Sequence, residues 1–396
     1  MSKTVIFFPK LEESKPYHHL PLSALSVAAP MVARGENVSI FDERTKDDFS
    51  GIKLKCYLVD ADEIWFSVYT GYQLTRAYQV SVWVKENYPN IKIIWGGPHV
   101  TALPEQTLAC SYADEVRPGY AETGEYPMPW HLINVRKYIN PATERFIAIT
   151  SYGCPGRCTF CSMENLHKYI PLPMDKVKGD IDSLMELYPF KECVFFDATL
   201  FAMPNRVAAI TGLMEQHNLQ WIADARATEI AKTDDSLIAL CVNSGLKQLT
   251  MGLESGSPRV VDMMRKGKYH LQMFRLAAEK LSQFPLKMVS GVIFGCPGET
   301  VEDLKQTIDY IHKIKEINPN FFISTTFFRP LPNTLMSDMA AEYGYKQPAT
   351  LEEWAELGAG NHYKYNVWQD VPWIMKPDEY KAIYDRFIAE NGELLI

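Results

Sequence analysis

The sequence predicts an α/β protein with two parallel β-sheets in succession: a doubly wound sheet, then a partial (β/α)6 barrel, followed by a small, mainly helical segment. Three observations predict this. Short apolar runs of strand length alternate with helix-length stretches from residue 4 to residue 327, the pattern of parallel strands joined by crossover helices. Residues 126–139, with Pro127 and Pro129, interrupt that alternation. The chain has 396 residues, 47% of them apolar, which suits two or three domains with cores of their own. The expected boundaries are 1–125 for the first domain, 126–139 for a linker, 140–345 for the second domain and 346–396 for the last segment.

In the first domain the apolar runs place strands at 4–8, 38–42, 63–68, 91–95 and 113–116, with helices at 21–33 and 74–88. Gly35 ends the first helix. In a Rossmann- or flavodoxin-like sheet, ligands sit outside the carboxyl ends of the strands. Those ends carry Pro9, Asp42, Ser67, Thr70 and Gly71, then Gly96, Gly97, His99 and Thr101. The paired glycines would let a ligand approach the backbone closely, and they suit a plain strand–turn–helix as well.

In the second domain, strands are expected at 146–150, 193–197, 221–225, 249–253, 289–294 and 321–327, with helices such as 204–217 and 301–317 between them. Six βα units make about three quarters of a barrel, whose functional groups gather at the carboxyl ends of the strands. Asp197, Arg226, Glu254 and the turn from Gly295 to Thr300 stand there. Each alone reads equally well as a helix cap, but four such ends converge on one mouth.

The first strand of that domain runs into Ser151-Tyr152-Gly153-Cys154-Pro155-Gly156-Arg157-Cys158-Thr159-Phe160-Cys161. Iron–sulfur clusters usually take four cysteines, so three thiolates on one loop leave an iron with an open position, the mark of a reactive metal. Zinc, with His167 as fourth ligand, is the competing reading. Structural zinc sites prefer two-residue gaps, and one gap here is three. Cys56, Cys110, Cys193, Cys241 and Cys296 are scattered and read as small core residues. With no secretory signal in view, reduced thiols and a cytoplasmic location are expected.

This loop resembles the signature of the radical S-adenosylmethionine superfamily, including the aromatic Phe160 before the last cysteine. The first domain resembles the cobalamin-binding domain that precedes many members. Leu20-Pro-Leu-Ser-Ala-Leu25, Asp42-Glu43-Arg44 and the stretch from Gly96 to Pro104 carry that likeness. The resemblance implies a 4Fe–4S cluster on Cys154, Cys158 and Cys161. It implies S-adenosylmethionine contacts from Phe160, Asp197, Arg226, Glu254 and Gly295. It also implies a cobalamin site at Ser67, Thr70, Gly96, Gly97 and His99. The Asp-x-His-x-x-Gly motif of axial histidine ligands is absent, so His99 has a supporting or capping role in this reading. Lys266-Gly267 and Phe328 to Thr334 also match, with Asn333 where a glycine is usual. The helix expected after the fifth strand of the first domain is missing.

The activity implied is methyl transfer to an unactivated carbon of a small molecule or natural product through a 5′-deoxyadenosyl radical. An external donor of flavodoxin or ferredoxin type would supply electrons. The alternative keeps the radical but ends in cyclisation, oxidation or rearrangement, with a first domain that no longer holds cobalamin. An electron-transfer scaffold is the non-enzymatic reading, and the open iron speaks against it. A net charge of −8, from 40 basic and 48 acidic residues, argues against a nucleic-acid surface. No apolar run reaches the roughly 18–20 residues of a membrane helix. Trp354, Tyr363, Tyr365, Trp368 and Trp373 crowd the last segment, with a helix near 377–391. That segment is expected to pack on the barrel mouth or to replace the missing helix.

Overall fold

The computed structural model describes residues 2–10, 19–45, 52–122, 125–162, 168–267, 269–357, 371–374 and 376–394. His167, Tyr363, Tyr365 and Trp368 lie outside the described residues.

The first lobe runs β1 (Lys3–Phe8), α1 (Leu22–Ala33), β2 (Asn37–Asp42), α2 (Ile52–Leu58), β3 (Glu63–Ser67), α3 (Tyr72–Asn87), β4 (Lys92–Gly96), α4 (Pro98–Ala102), α5 (Pro104–Cys110) and β5 (Glu115–Arg117). Its strands form one parallel sheet in the order β2-β1-β3-β4-β5. Period-two alternation divides each strand between two cores. Val5 and Phe7 of β1 join Phe66, Trp95 and the inner face of α3. Ile6 and Phe8 join α1 and continue into the core of the second lobe.

The second lobe runs β6 (Arg145–Ala148), β7 (Ser151–Tyr152), β8 (Ile170–Pro171), α6 (Met174–Leu187), β9 (Glu192–Phe195), α7 (Pro204–Gln216), β10 (Gln220–Ala225), α8 (Ala227–Lys232), α9 (Asp235–Asn243), β11 (Leu246–Met251), α10 (Pro258–Met263), α11 (His270–Leu281), β12 (Lys287–Phe294), α12 (Val301–Ile317) and β13 (Phe321–Phe327). Six of its strands form a parallel sheet ordered β6-β9-β10-β11-β12-β13, the expected partial barrel. β7 and β8 pair antiparallel and close the base of the cysteine loop. The amphipathic helix α12 starts at a capping box in which Thr300 and Asp303 satisfy each other's backbone N–H.

The chain then forms α13 (Leu335–Glu342), α14 (Leu351–Leu357) and α15 (Pro377–Glu390). Leu351, Trp354 and Ala355 are buried in the core of the first sheet, against α3. Trp354 donates its indole N–H to Gln106 Oε1 at 2.8 Å, and Gln106 Nε2 donates to the Ala349 carbonyl at 3.1 Å. This piece of the last segment therefore covers the α3 face of the first sheet. Trp373, Ile374, Tyr380 and Phe387 pack instead into the barrel core. Among the described residues no helix is long and apolar enough to cross a membrane.

Candidate functional site

The cysteine loop leaves the barrel at β7 and is anchored by Thr159. Its N–H donates to the Met264 carbonyl at 3.2 Å, its hydroxyl to the Met263 carbonyl at 3.0 Å, and its own carbonyl accepts from Met336 N–H at 2.9 Å. Gly153, at φ +73°, passes so close to the Lys168 carbonyl that a Cβ would lie 1.9 Å from its oxygen. Only glycine fits that crossing. Cys154, Cys158 and Cys161 are partly buried thiols outside any disulfide. The Gly156 N–H donates to Cys154 Sγ at 3.3 Å. Burial pushes the Cys158 thiol up, while Lys266 and Arg226 pull it down. Among the described residues no group of three His, Cys, Asp or Glu side chains is arranged to hold a single metal ion.

Glu254 closes the mouth beside the loop. It lies beyond β11, bridges to Val292 and holds φ +64°, a strained conformation for a residue with a Cβ. Its N–H donates to the Gly291 carbonyl at 3.0 Å and its carbonyl accepts from Ile293 N–H at 2.8 Å, so β12 fixes it on both sides. Its carboxylate lies in the space a Cβ on Gly252 would need and faces Gly291. Lys266 Nζ pairs with Glu254 Oε1 at 3.1 Å, and both side chains are mostly buried. Arg226 follows β10, its N–H held by Glu229 Oε2 at 3.1 Å. Its guanidinium reaches Gly156 of the cysteine loop. One carboxylate and two cations thus flank the three thiols.

Asp197 takes a different place from the one expected. It is 1% exposed, and its carboxylate accepts from Thr150 N–H at 2.9 Å, Thr150 Oγ1 at 2.8 Å and Ser151 Oγ at 2.5 Å. Those bonds fix the strand end from which the cysteine loop departs. Asp197 therefore positions the loop, and its oxygens are already engaged. Gly295, at φ +68°, ends β12 with both backbone groups bonded to the last segment: its N–H to Tyr380 Oη at 2.9 Å, its carbonyl to Trp373 Nε1 at 2.8 Å. Phe160 is half-buried against the barrel core. Asn333 adopts φ +55°, the conformation of the glycine it replaces, which asparagine tolerates.

The first sheet presents its carboxyl edge to this mouth. Ser26 of α1 meets the Tyr152 hydroxyl at 3.1 Å, and His19 meets Phe196 edge-on with centroids 5.4 Å apart. Tyr138 donates to Asp42 Oδ2 at 2.8 Å, and Arg44 pairs with the same carboxylate. Ser67 Oγ bonds Ser23 Oγ at 3.3 Å. Gly96 and Gly97, at the end of β4, are partly exposed. A Cβ on Gly97 would strike Val68 N at 2.6 Å, and one on Gly96 would meet the Arg117 carbonyl at 3.2 Å. Both glycines admit the protein's own backbone. His99 is fully buried, shares a hydrogen bond with Thr70 Oγ1 at 3.0 Å through Nδ1, and lies edge-on to Trp354. It reaches the crevice only through Thr70.

Residues 148–311 match the model of the Radical SAM superfamily. The matched region begins at the end of β6 and takes in the cysteine loop, Glu254 and Gly295. The chain is 26% identical over 368 residues to an uncharacterized methyltransferase of Pyrococcus horikoshii, covering 81% of this chain and 78% of that protein. It is 24% identical over 222 residues to a cytidylyl-2-hydroxyethylphosphonate methyltransferase of Streptomyces wedmorensis, covering 52% of this chain and 41% of the relative. The radical S-adenosylmethionine methyltransferase TsrM of Kitasatospora setae, solved with cobalamin and a 4Fe–4S cluster, superposes with a TM-score of 0.67 at 12% identity over 90% of this chain and 85% of TsrM. The cobalamin-dependent S-adenosylmethionine radical enzyme OxsB gives 0.68 at 15% identity, covering 99% of this chain and 62% of OxsB. These two likenesses are of fold, and they extend beyond the matched region into the first lobe.

Sequence reasoning named the cysteines, Glu254 and Gly295, and the structure brings the cysteine loop and Glu254 together. It did not name Tyr120, whose hydroxyl is pushed up to about 12 by burial beside Gly153 and the thiols of Cys154 and Cys161. Nothing in the residues around Tyr120 signals that contact, which forms only when the first lobe docks.

Proposed function

We propose that the protein is a cobalamin-dependent radical S-adenosylmethionine enzyme, and that it transfers a methyl group to an unactivated carbon of a small molecule. The observation that carries the reading is the three-thiol loop with its open side flanked by Glu254, Lys266 and Arg226. Three thiols on one loop, with no fourth ligand among its described residues, fit a 4Fe–4S cluster with one open iron, and Cys154, Cys158 and Cys161 would hold it. When bound, the cluster supplies the electron that opens S-adenosylmethionine, and cobalamin the methyl carrier. Glu254 would accept hydrogen bonds from the ammonium or ribose hydroxyls of S-adenosylmethionine, and Arg226 or Lys266 would bind its carboxylate. The Gly291–Gly295 strand end would take the adenine, with Phe160 beside it. Asp197 holds the loop in place for this arrangement. The cobalamin site would use the crevice at Ser67 and Thr70, supported by the fold shared with TsrM.

The test is anaerobic reconstitution with iron, sulfide and hydroxocobalamin, followed by incubation with methyl-labelled S-adenosylmethionine and a strong reductant. Wild type is expected to hold about four irons, to retain cobalamin after desalting and to form 5′-deoxyadenosine. Cys154→Ala, Cys158→Ala and Cys161→Ala are each expected to lose the cluster. Zinc in place of iron, or no 5′-deoxyadenosine, ends this reading.

A second reading has support in the first lobe. The His99 ring, fully buried and edge-on to Trp354, favours a lobe that serves substrate recognition and holds no cobalamin. A protein that forms 5′-deoxyadenosine and retains no corrin would establish it.

A further inference from the structure

The barrel lumen holds one acidic side chain to which the reading above gives no task. On β10, Trp221 turns outward, its indole N–H on Ser244 Oγ at 3.2 Å, so alternation points Ile222 and Asp224 inward. Asp224 stands in register with Thr250 of β11, and the Thr250 hydroxyl is its hydrogen-bond contact. Arg226, two residues further along the same face, reaches the cysteine loop at Gly156. Asp224 therefore lies one layer beneath the residue that touches that loop.

The charges around it make the position unusual. At the lumen floor Glu192 is paired with both Arg145 and Lys247. Among the described residues no Lys, Arg or His is paired with Asp224, and Asp197 is the charged neighbour that acts on it. Its side chain is open to the lumen while the walls desolvate it, which lifts its carboxyl to about 6. Phe196 follows β9, and its ring is 49% exposed at the mouth above the lumen. A carboxylate that is open to the lumen and has no paired cation favours a positive group there, and an aromatic face adds attraction for it.

We infer that the substrate carries a basic nitrogen, and that Asp224 binds it as an ammonium group with Phe196 as the aromatic wall. This assignment rests on the proposed function, in which the substrate enters this lumen. Asp224 is then a substrate-binding residue, and the substrate class is a cationic amine.

The experiment uses the full-length, anaerobically reconstituted protein and three probes of similar size: 2-phenylethylamine, 2-phenylethanol and 3-phenylpropanoate. Saturation-transfer NMR in the wild type is expected to show the ammonium probe bound at least tenfold better than the neutral and anionic ones. In Asp224→Asn that preference is expected to fall to about one, and Asp224→Glu is expected to restore part of it. Asp224→Ser carries the same comparison where Asp224→Asn does not fold. No preference for the amine in wild type, or an unchanged preference in the Asn and Ser variants, overturns the assignment. That failure is separable from failure of the proposed function, which is read on wild type as the absence of 5′-deoxyadenosine.

Discussion

Trp373 donates its indole N–H to the carbonyl of Gly295 over 2.8 Å, across 78 residues of chain. Tyr380 accepts the N–H of the same glycine. The turn that ends β12 thus has both backbone groups satisfied by the last segment. Trp373→Phe keeps most of the packing but strands a buried carbonyl, an expected loss of about 1–3 kcal/mol. Trp373→Ala adds a cavity and is expected to cost about 3–5 kcal/mol. Urea unfolding measures both. Equilibrium dialysis with labelled S-adenosylmethionine is expected to show weaker binding in each, and wild-type binding in Trp373→Phe would separate this turn from the reagent site.

Glu254 offers a test in which stability and binding move apart. Its φ of +64° is strained, and such a residue stores about 1–3 kcal/mol. Glu254→Gly removes that strain and the side chain together. Relief of that strain offsets part of the cost of leaving Lys266 unpaired, so the variant is expected to lose little melting temperature while S-adenosylmethionine binding falls at least tenfold. Equal losses in both measurements would make Glu254 a structural residue.

Two buried groups give the pH–stability profile opposite limbs. Burial lifts the Glu299 carboxyl from 4.5 to about 7. The folded state therefore holds that proton more tightly, and the stability it contributes is full below pH 4.5 and lost as pH rises through 7. Burial lowers His99 from 6.5 to about 4, so its contribution is present above pH 6.5 and lost as pH falls through 4. Each limb amounts to about 3 kcal/mol at most. The two windows overlap and offset each other, so wild-type thermal melts are expected to change little from pH 4.5 to 6.5, whereas Glu299→Gln, which removes the falling contribution, is expected to leave stability rising with pH across that range.

Trp354 ties the last segment to the first lobe. Trp354→Ala is expected to destabilise that lobe by about 3–5 kcal/mol. Limited proteolysis is expected to cut near α3 and α5 first, with the iron content of reconstituted protein unchanged. Iron loss in this variant would show that the cysteine loop depends on the first lobe, through Tyr120 among others.

The strands of both parallel sheets were legible because parallel strands covered on both faces leave apolar runs, and all the strands except the short antiparallel pair β7 and β8 fall close to those runs. The cysteine loop was legible because its spacing is local. Contacts between distant parts were not. At Gly97 the backbone of Val68 takes the place a Cβ would need, and a glycine in sequence carries no record of what approaches it. Asp197 reads as a mouth residue, yet Thr150 and Ser151 bind its oxygens before any ligand arrives. The burial of Trp354 in the first lobe, across 248 residues to Gln106, has no local signature.

The order of synthesis gives that last contact a kinetic meaning. All strands of both sheets emerge from the ribosome before Trp354 and Trp373 do. Until those two tryptophans arrive, the nascent chain carries bare apolar flanks on α3 and beside β12, surfaces that invite chaperones or aggregation. Cellular yield of soluble protein should therefore depend on codons far downstream of either sheet.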